Sequence, residues 1–101
     1  MAFLCLLELG LHFPDSGDLK GKRKEISSLK AQLRRRFGAS VAETDHHDLW
    51  QRSTLTAALV GGEQGALAER ADSLQRYVDA RLGDLTRWER RMLTTDDVLD
   101  D

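Results

Sequence analysis

Asp45-His46-His47-Asp48-Leu49-Trp50-Gln51-Arg52 concentrates titratable, aromatic and amide side chains in eight consecutive residues. Histidine beside carboxylate suits a divalent metal or proton transfer near neutral pH. Adjacent histidines on an extended chain point to opposite faces, so His46 and His47 do not converge on one ion. No HExxH motif and no cysteine pair accompanies them. A pair such as His46 with Asp48 could move a proton, but no nucleophile with an orienting partner stands nearby in sequence. The residues therefore assign no catalytic group, no metal and no cofactor. A binding role fits them better. Trp50 offers a stacking surface, and Gln51 and Arg52 offer polar contacts, the combination that single-stranded nucleic acid uses. Trp50 could equally fold back on the domain as an anchor beside Leu49.

The second concentration of charge is basic. Eight of the 15 Lys and Arg residues fall between Lys20 and Arg36, with Glu25 the only acid among them. Lys20, Lys22, Arg23 and Lys24 would occupy the first turns of a helix, where each cation opposes the helix dipole by about 0.3–1 kcal/mol. Helix stability does not account for them. A helix start carrying added cations suits an anion such as phosphate, although a charge run is also ordinary solvated surface.

The elements that must position these groups follow from periodicity. Ala2 to Phe13 alternates: Phe3, Cys5, Leu7, Leu9, Leu11 and Phe13 point one way, and Leu4, Leu6, Glu8, Gly10 and His12 the other. This predicts a strand with one covered and one more open face. Pro14 closes it. After a polar loop, a helix is expected from Leu19 or Lys20 to Phe37, with Ile26, Leu29, Leu33 and Phe37 on one face and Gly38 past its end. Ala39 to Asp45 and Ser53 to Gly61 read as strands. Glu63 to Leu82 reads as a helix with a Leu67, Ala71, Leu74, Val78 and Leu82 stripe. Asp84 to Leu93 reads as a last strand, and 94–101 as an acidic, frayed tail outside a single domain spanning 1–93. The order β-α-β-β-α-β predicts a ferredoxin-like α+β sandwich, a four-stranded antiparallel sheet with both helices on one face.

That topology carries its own consequence. The loop after the first strand and the hairpin between the second and third strands fall at the same end. The Lys20–Lys24 cluster should therefore lie beside Asp45–Arg52, with His12 close by. On the open face Glu8, Glu43 and Arg87 or Arg91 should meet and offset one another. That face, with Leu4 and Leu6 at its centre, could instead be covered by a second copy.

At 101 residues with 41% hydrophobic and 32% charged side chains, the chain has a globular composition. A net charge of −2 makes no case for nucleic acid or membrane on bulk charge alone. Cys5 is the single cysteine, so no internal disulfide can form. The apolar start is interrupted by Glu8 and has no basic residue before it, so neither a signal peptide nor a membrane helix is expected there. A cytoplasmic protein without a membrane partner is expected.

Leu19-Lys20-Gly21-Lys22-Arg23, Arg36-Phe37, Ser40-Val41-Ala42-Glu43 and Asp45-His46-His47-Asp48-Leu49-Trp50-Gln51-Arg52 together resemble the YlxP-like family of small bacterial proteins. The likeness runs from the first strand into the last. Family members usually carry Gln at the position of His47 and a bulkier apolar residue at Thr44. The resemblance implies a ferredoxin-like fold, no established enzyme activity, and genomic neighbours among translation and ribosome-assembly factors. The expected meeting of basic helix start and hairpin points to an RNA or a ribosome-associated protein as partner, with Lys20, Lys22, Arg23, Lys24, His46, His47, Trp50, Gln51 and Arg52 as candidate binding residues.

Overall fold

Alternation in the first strand and helical stripes in two later segments produce one sheet with helices packed on one side. The computed structural model describes residues 1–13, 19–46, 49 and 51–99, with the backbone alone at 84. The elements are β1 (Phe3–His12), α1 (Leu19–Phe37), β2 (Ser40–Asp45), β3 (Arg52–Gly61), α2 (Gln64–Leu82), β4 (Thr86–Thr94) and α3 (Thr95–Leu99), with a single 3-10 turn at Gly83–Leu85 before β4. The four strands lie in the order β2-β3-β1-β4, and every neighbouring pair is antiparallel. This is the ferredoxin-like α+β arrangement expected from the element order.

The covered side of the sheet is apolar because β1 and β3 alternate strictly. Cys5, Leu7, Leu9 and Leu11 of β1 and Leu55, Ala57 and Leu59 of β3 are buried. Ile26, Leu29 and Leu33 of α1 and Leu67, Ala71, Leu74 and Val78 of α2 complete one core cluster with them. Burying a side chain of Leu size contributes about 1.5–3 kcal/mol, so this stripe-on-stripe packing is the main stabilising term. Both long helices stop at glycines held at positive φ, Gly38 at 66° and Gly83 at 61°. Each glycine N–H closes the last turn, Gly38 on the Arg34 carbonyl and Gly83 on the Asp79 carbonyl.

Within the segment expected as a tail, Thr95–Leu99 forms α3. Thr94 and Asp97 form a reciprocal cap: the Asp97 N–H donates to Thr94 Oγ1 at 3.1 Å, and the Thr94 N–H donates to Asp97 Oδ2 at 2.9 Å. The Thr95 N–H then donates to the Ala2 carbonyl at 2.9 Å, and the Ala2 N–H to Thr95 Oγ1 at 3.2 Å. These bonds dock α3 on the start of β1.

Neither long helix packs on the opposite side of the sheet. Its rows follow from the register. Leu93, Leu4 and Val60 lie across one end, Glu89, Glu8 and Thr56 across the middle, and Arg87, Gly10 and Thr54 near the other end.

Candidate functional site

At the end of the domain where β1 finishes, three polar residues replace apolar ones on the covered side. Lys22 stands four residues before Ile26 and so continues the buried stripe of α1. Glu43 stands two after Val41 on β2, and Ser53 two before Leu55 on β3. Lys22 and Ser53 are each 1% exposed. The Glu43 side chain is 6% exposed. A carboxylate and an ammonium at such depth persist only when paired and hydrogen-bonded.

They are. The Lys22 Nζ lies 3.7 Å from Glu43 Oε2. Ser53 Oγ donates to the same oxygen at 2.6 Å, and Arg23 Nη1 donates to Glu43 Oε1 at 3.0 Å. The Lys22 ammonium also donates to the His46 carbonyl at 2.8 Å and to the Leu49 carbonyl. One lysine thus ties the start of α1 to the sheet and to both ends of the turn between β2 and β3.

The turn itself is over-determined. His46 adopts φ of 62°, a left-handed conformation that non-glycine residues seldom take. Its N–H is capped by Asp45 Oδ1 at 2.8 Å, its ring Nδ1 bonds Thr54 Oγ1 at 2.9 Å, and its carbonyl also accepts the Leu49 N–H at 3.3 Å. Glu43 faces inward by alternation from Val41, and a bulge at Thr44 then puts Asp45 opposite Thr54 as β2 enters the turn. Beyond the ladder, the Phe13 N–H donates to the Gln51 carbonyl at 2.7 Å and holds the far side of the hairpin to the end of β1.

The expected meeting of helix start and hairpin therefore occurs, through Lys22. Lys22 itself is corrected: its ammonium points inward and is sealed, so it cannot face a phosphate. Glu43 is corrected too, since it lies on the helix side and not on the open face with Glu8. On that open face Glu8 sits directly opposite Glu89, and no ion pair among the described residues involves Glu8, Arg87 or Arg91.

The remaining candidates divide by exposure. Lys20, Lys24, Gln51 and Arg52 are exposed. Arg23 keeps 49% of its side chain accessible while bonding Glu43. His46 is 27% exposed, with Asp45 Oδ2 3.9 Å from its Nε2. His47, Asp48 and Trp50 lie outside the described residues, and with them the two-histidine, His46–Asp48 and tryptophan-stacking expectations. Elsewhere on α1 two basic residues serve structure: Arg34 Nη2 donates to the Val41 carbonyl at 2.7 Å, and Arg36 stacks 4.8 Å above the Tyr77 ring. Among the described residues no helix is long and apolar enough to cross a membrane, and no three His, Cys, Asp or Glu residues gather as a metal site.

An α+β sandwich with one bare sheet face and an ion cluster pinning a hairpin defines a small ferredoxin-like domain. The chain belongs to the family described as "Protein of unknown function (DUF503)", whose profile matches residues 4–92. A curated relative, the uncharacterised protein YlxP of Bacillus subtilis (strain 168), is 24% identical over 66 residues, covering 65% of this chain and 72% of that one. Among solved structures, the designed protein Foldit4 is similar with a TM-score of 0.63 at 9% identity, over 93% of this chain and 98% of that one. SnoaB, a cofactor-independent oxygenase from Streptomyces nogalater, is similar with a TM-score of 0.53 at 14% identity, over 98% of both chains. At such identities these structures share the fold and nothing more.

Proposed function

We propose that this domain is a non-enzymatic binding module that engages RNA, or a ribosome-associated partner presenting it, through the end where α1 begins and the β2–β3 hairpin turns. The observation that carries this reading is the Lys22 tether from α1 to the carbonyls of His46 and Leu49. It holds exposed Lys20, Lys24 and half-exposed Arg23 at one end with His46, Gln51 and Arg52; by sequence His47 and Trp50 belong to the same hairpin. Lys20 and Lys24 are exposed and form no ion pair with a described residue. The translation-factor neighbourhood that the resemblance implies would fit ribosomal RNA and a cytoplasmic setting.

The test is single-stranded RNA binding to the full chain at increasing salt, with Lys20→Glu and Lys24→Glu combined. Affinity should fall with salt and fall again on charge reversal. Salt-independent binding, or binding that survives the double reversal, refutes the reading. Charge reversal at Lys22 would not serve, because it would bury a second carboxylate against Glu43.

A second reading is a homodimer through the bare sheet face. It is favoured by the adjacent Leu93, Leu4 and Val60, where Val60 is 62% exposed, with Leu6 in the next row. Sedimentation should then give twice 11.4 kDa, reduced to one chain by Leu6→Asp. A monomer at high concentration removes this reading.

A further inference from the structure

On the bare face, at the same end of the sheet as the Lys22 cluster but on its other side, lies a cleft of about 330 Å³. Gly10, His12, Arg52, Thr54 and Arg87 line it on that face. The register explains the hollow. Gly10 lies between Thr54 on β3 and Arg87 on β4, and His12 lies opposite Arg52 one step further along. Those flanking strands are about 10 Å apart, twice the interstrand spacing, and the residue between them has no side chain. The backbone does not require glycine there. Gly10 is absent from the positive-φ positions, and an added Cβ would meet the Arg87 carbonyl oxygen at 3.7 Å and Arg87 Cβ at 3.8 Å, ordinary contact distances. A Cβ is therefore tolerated there and would begin to fill the cleft.

The rim is cationic. Arg52, Arg87 and His12 are exposed, and none forms an ion pair with a described residue. Arg23, Arg81 and Arg90, by contrast, each hold a carboxylate. No carboxylate stands among the described lining residues. Glu8 and Glu89 come one step further down the face, opposite each other, and confine an anion to the end.

We propose that this cleft binds a single phosphoryl group, with the guanidinium forks of Arg52 and Arg87 on its oxygens and His12 and Thr54 as further donors. Arginine forks match phosphate oxygens two at a time, and the donors assembled here exceed what a carboxylate's two oxygens accept. The phosphate could come from an RNA backbone or from a free nucleotide. Only the choice of RNA rests on the function proposed above; the cleft stands on its own residues.

The experiment is amide NMR of the full chain titrated with inorganic phosphate at constant ionic strength, with chloride as control, and then with uridine 5′-monophosphate and a single-stranded RNA. Phosphate should shift the amides of Gly10, His12, Arg52, Thr54 and Arg87. Arg87→Ala should weaken its binding at least about tenfold with the spectrum otherwise native. Gly10→Val should do the same by filling the cleft. Shifts that chloride reproduces, or that centre on Lys20 and Lys24, overturn the cleft. RNA binding that leaves cleft amides unmoved and tolerates Arg87→Ala also overturns it, while leaving the RNA reading intact. Phosphate or monophosphate bound at the cleft without RNA affinity upholds the cleft and refutes the RNA reading.

Discussion

Lys22 and Arg87 are cations at the same end of one sheet, on opposite faces, and they do opposite things. Lys22 faces the helices, is sealed from water, and directs its donors to Glu43 and two turn carbonyls. Arg87 faces the bare side, is exposed, and has no carboxylate partner among the described residues. The difference is one of environment. In the low-dielectric gap between α1 and the sheet a charge must be neutralised by the protein, so its partners are already present. On a solvated face water suffices, and the charge stays available to a ligand. A basic residue near an expected site is therefore informative only once its neighbours are known.

The largest expected effect tests the buried side. Lys22→Met leaves Glu43 with Arg23 and Ser53 but removes both bonds to the turn, and should cost about 3 kcal/mol in urea unfolding. At about 4–8 °C of melting temperature per kcal/mol for a domain of this size, the drop is easily measured. Combined with Glu43→Gln the destabilisation should be well short of additive, because both changes break one network. Additive effects would mean that the cluster does not act as a unit.

Next in size is the strained turn. His46→Val puts a β-branched residue at a φ of 62° and removes the Thr54 bond, for an expected destabilisation of about 1–2 kcal/mol. On the bare side, Arg52→Ala with Arg87→Ala should change stability by less than about 0.5 kcal/mol, since both side chains are exposed and neither is ion-paired with a described residue. A large change there would erase the contrast with Lys22.

The smallest effect concerns the C-terminal cap. The backbone N–H of Thr94, and then its hydroxyl, hold the Asp97 carboxyl below its ordinary value of 3.8. A depressed folded-state value means that the ionised form supports the cap. Its contribution is present above about pH 4 and is lost as pH falls through the folded value. Amide exchange in residues 95–99 should quicken in that acidic window and should do so less in Asp97→Asn, whose cap is already weakened.

The order of elements was legible because β1, β3 and both long helices carry unbroken apolar periods. The buried cluster was half legible. Lys22 falls at the stripe position four before Ile26, Glu43 shares Val41's face, and Ser53 shares Leu55's, but residue type argued for surface in each case. Position along the period was the better guide, since it fixes which way a side chain points. The bulge at Thr44 has no periodic signature, as one extra residue in six does not disturb so short a strand. The Thr94–Asp97 cap was present as a Thr-x-x-Asp spacing and was masked by the acidic run around it. The cleft at Gly10 could not be read from the chain at all, because it depends on which residues of β3 and β4 stand opposite β1.

The most direct test of the proposed function is the slope of RNA affinity against salt, compared between the native chain and the Lys20→Ala, Lys24→Ala, Arg52→Ala variant. If these exposed cations neutralise phosphates, the logarithmic slope should become shallower by about 0.7 for each phosphate on a single strand that the variant leaves to its counterions. An unchanged slope would contradict it.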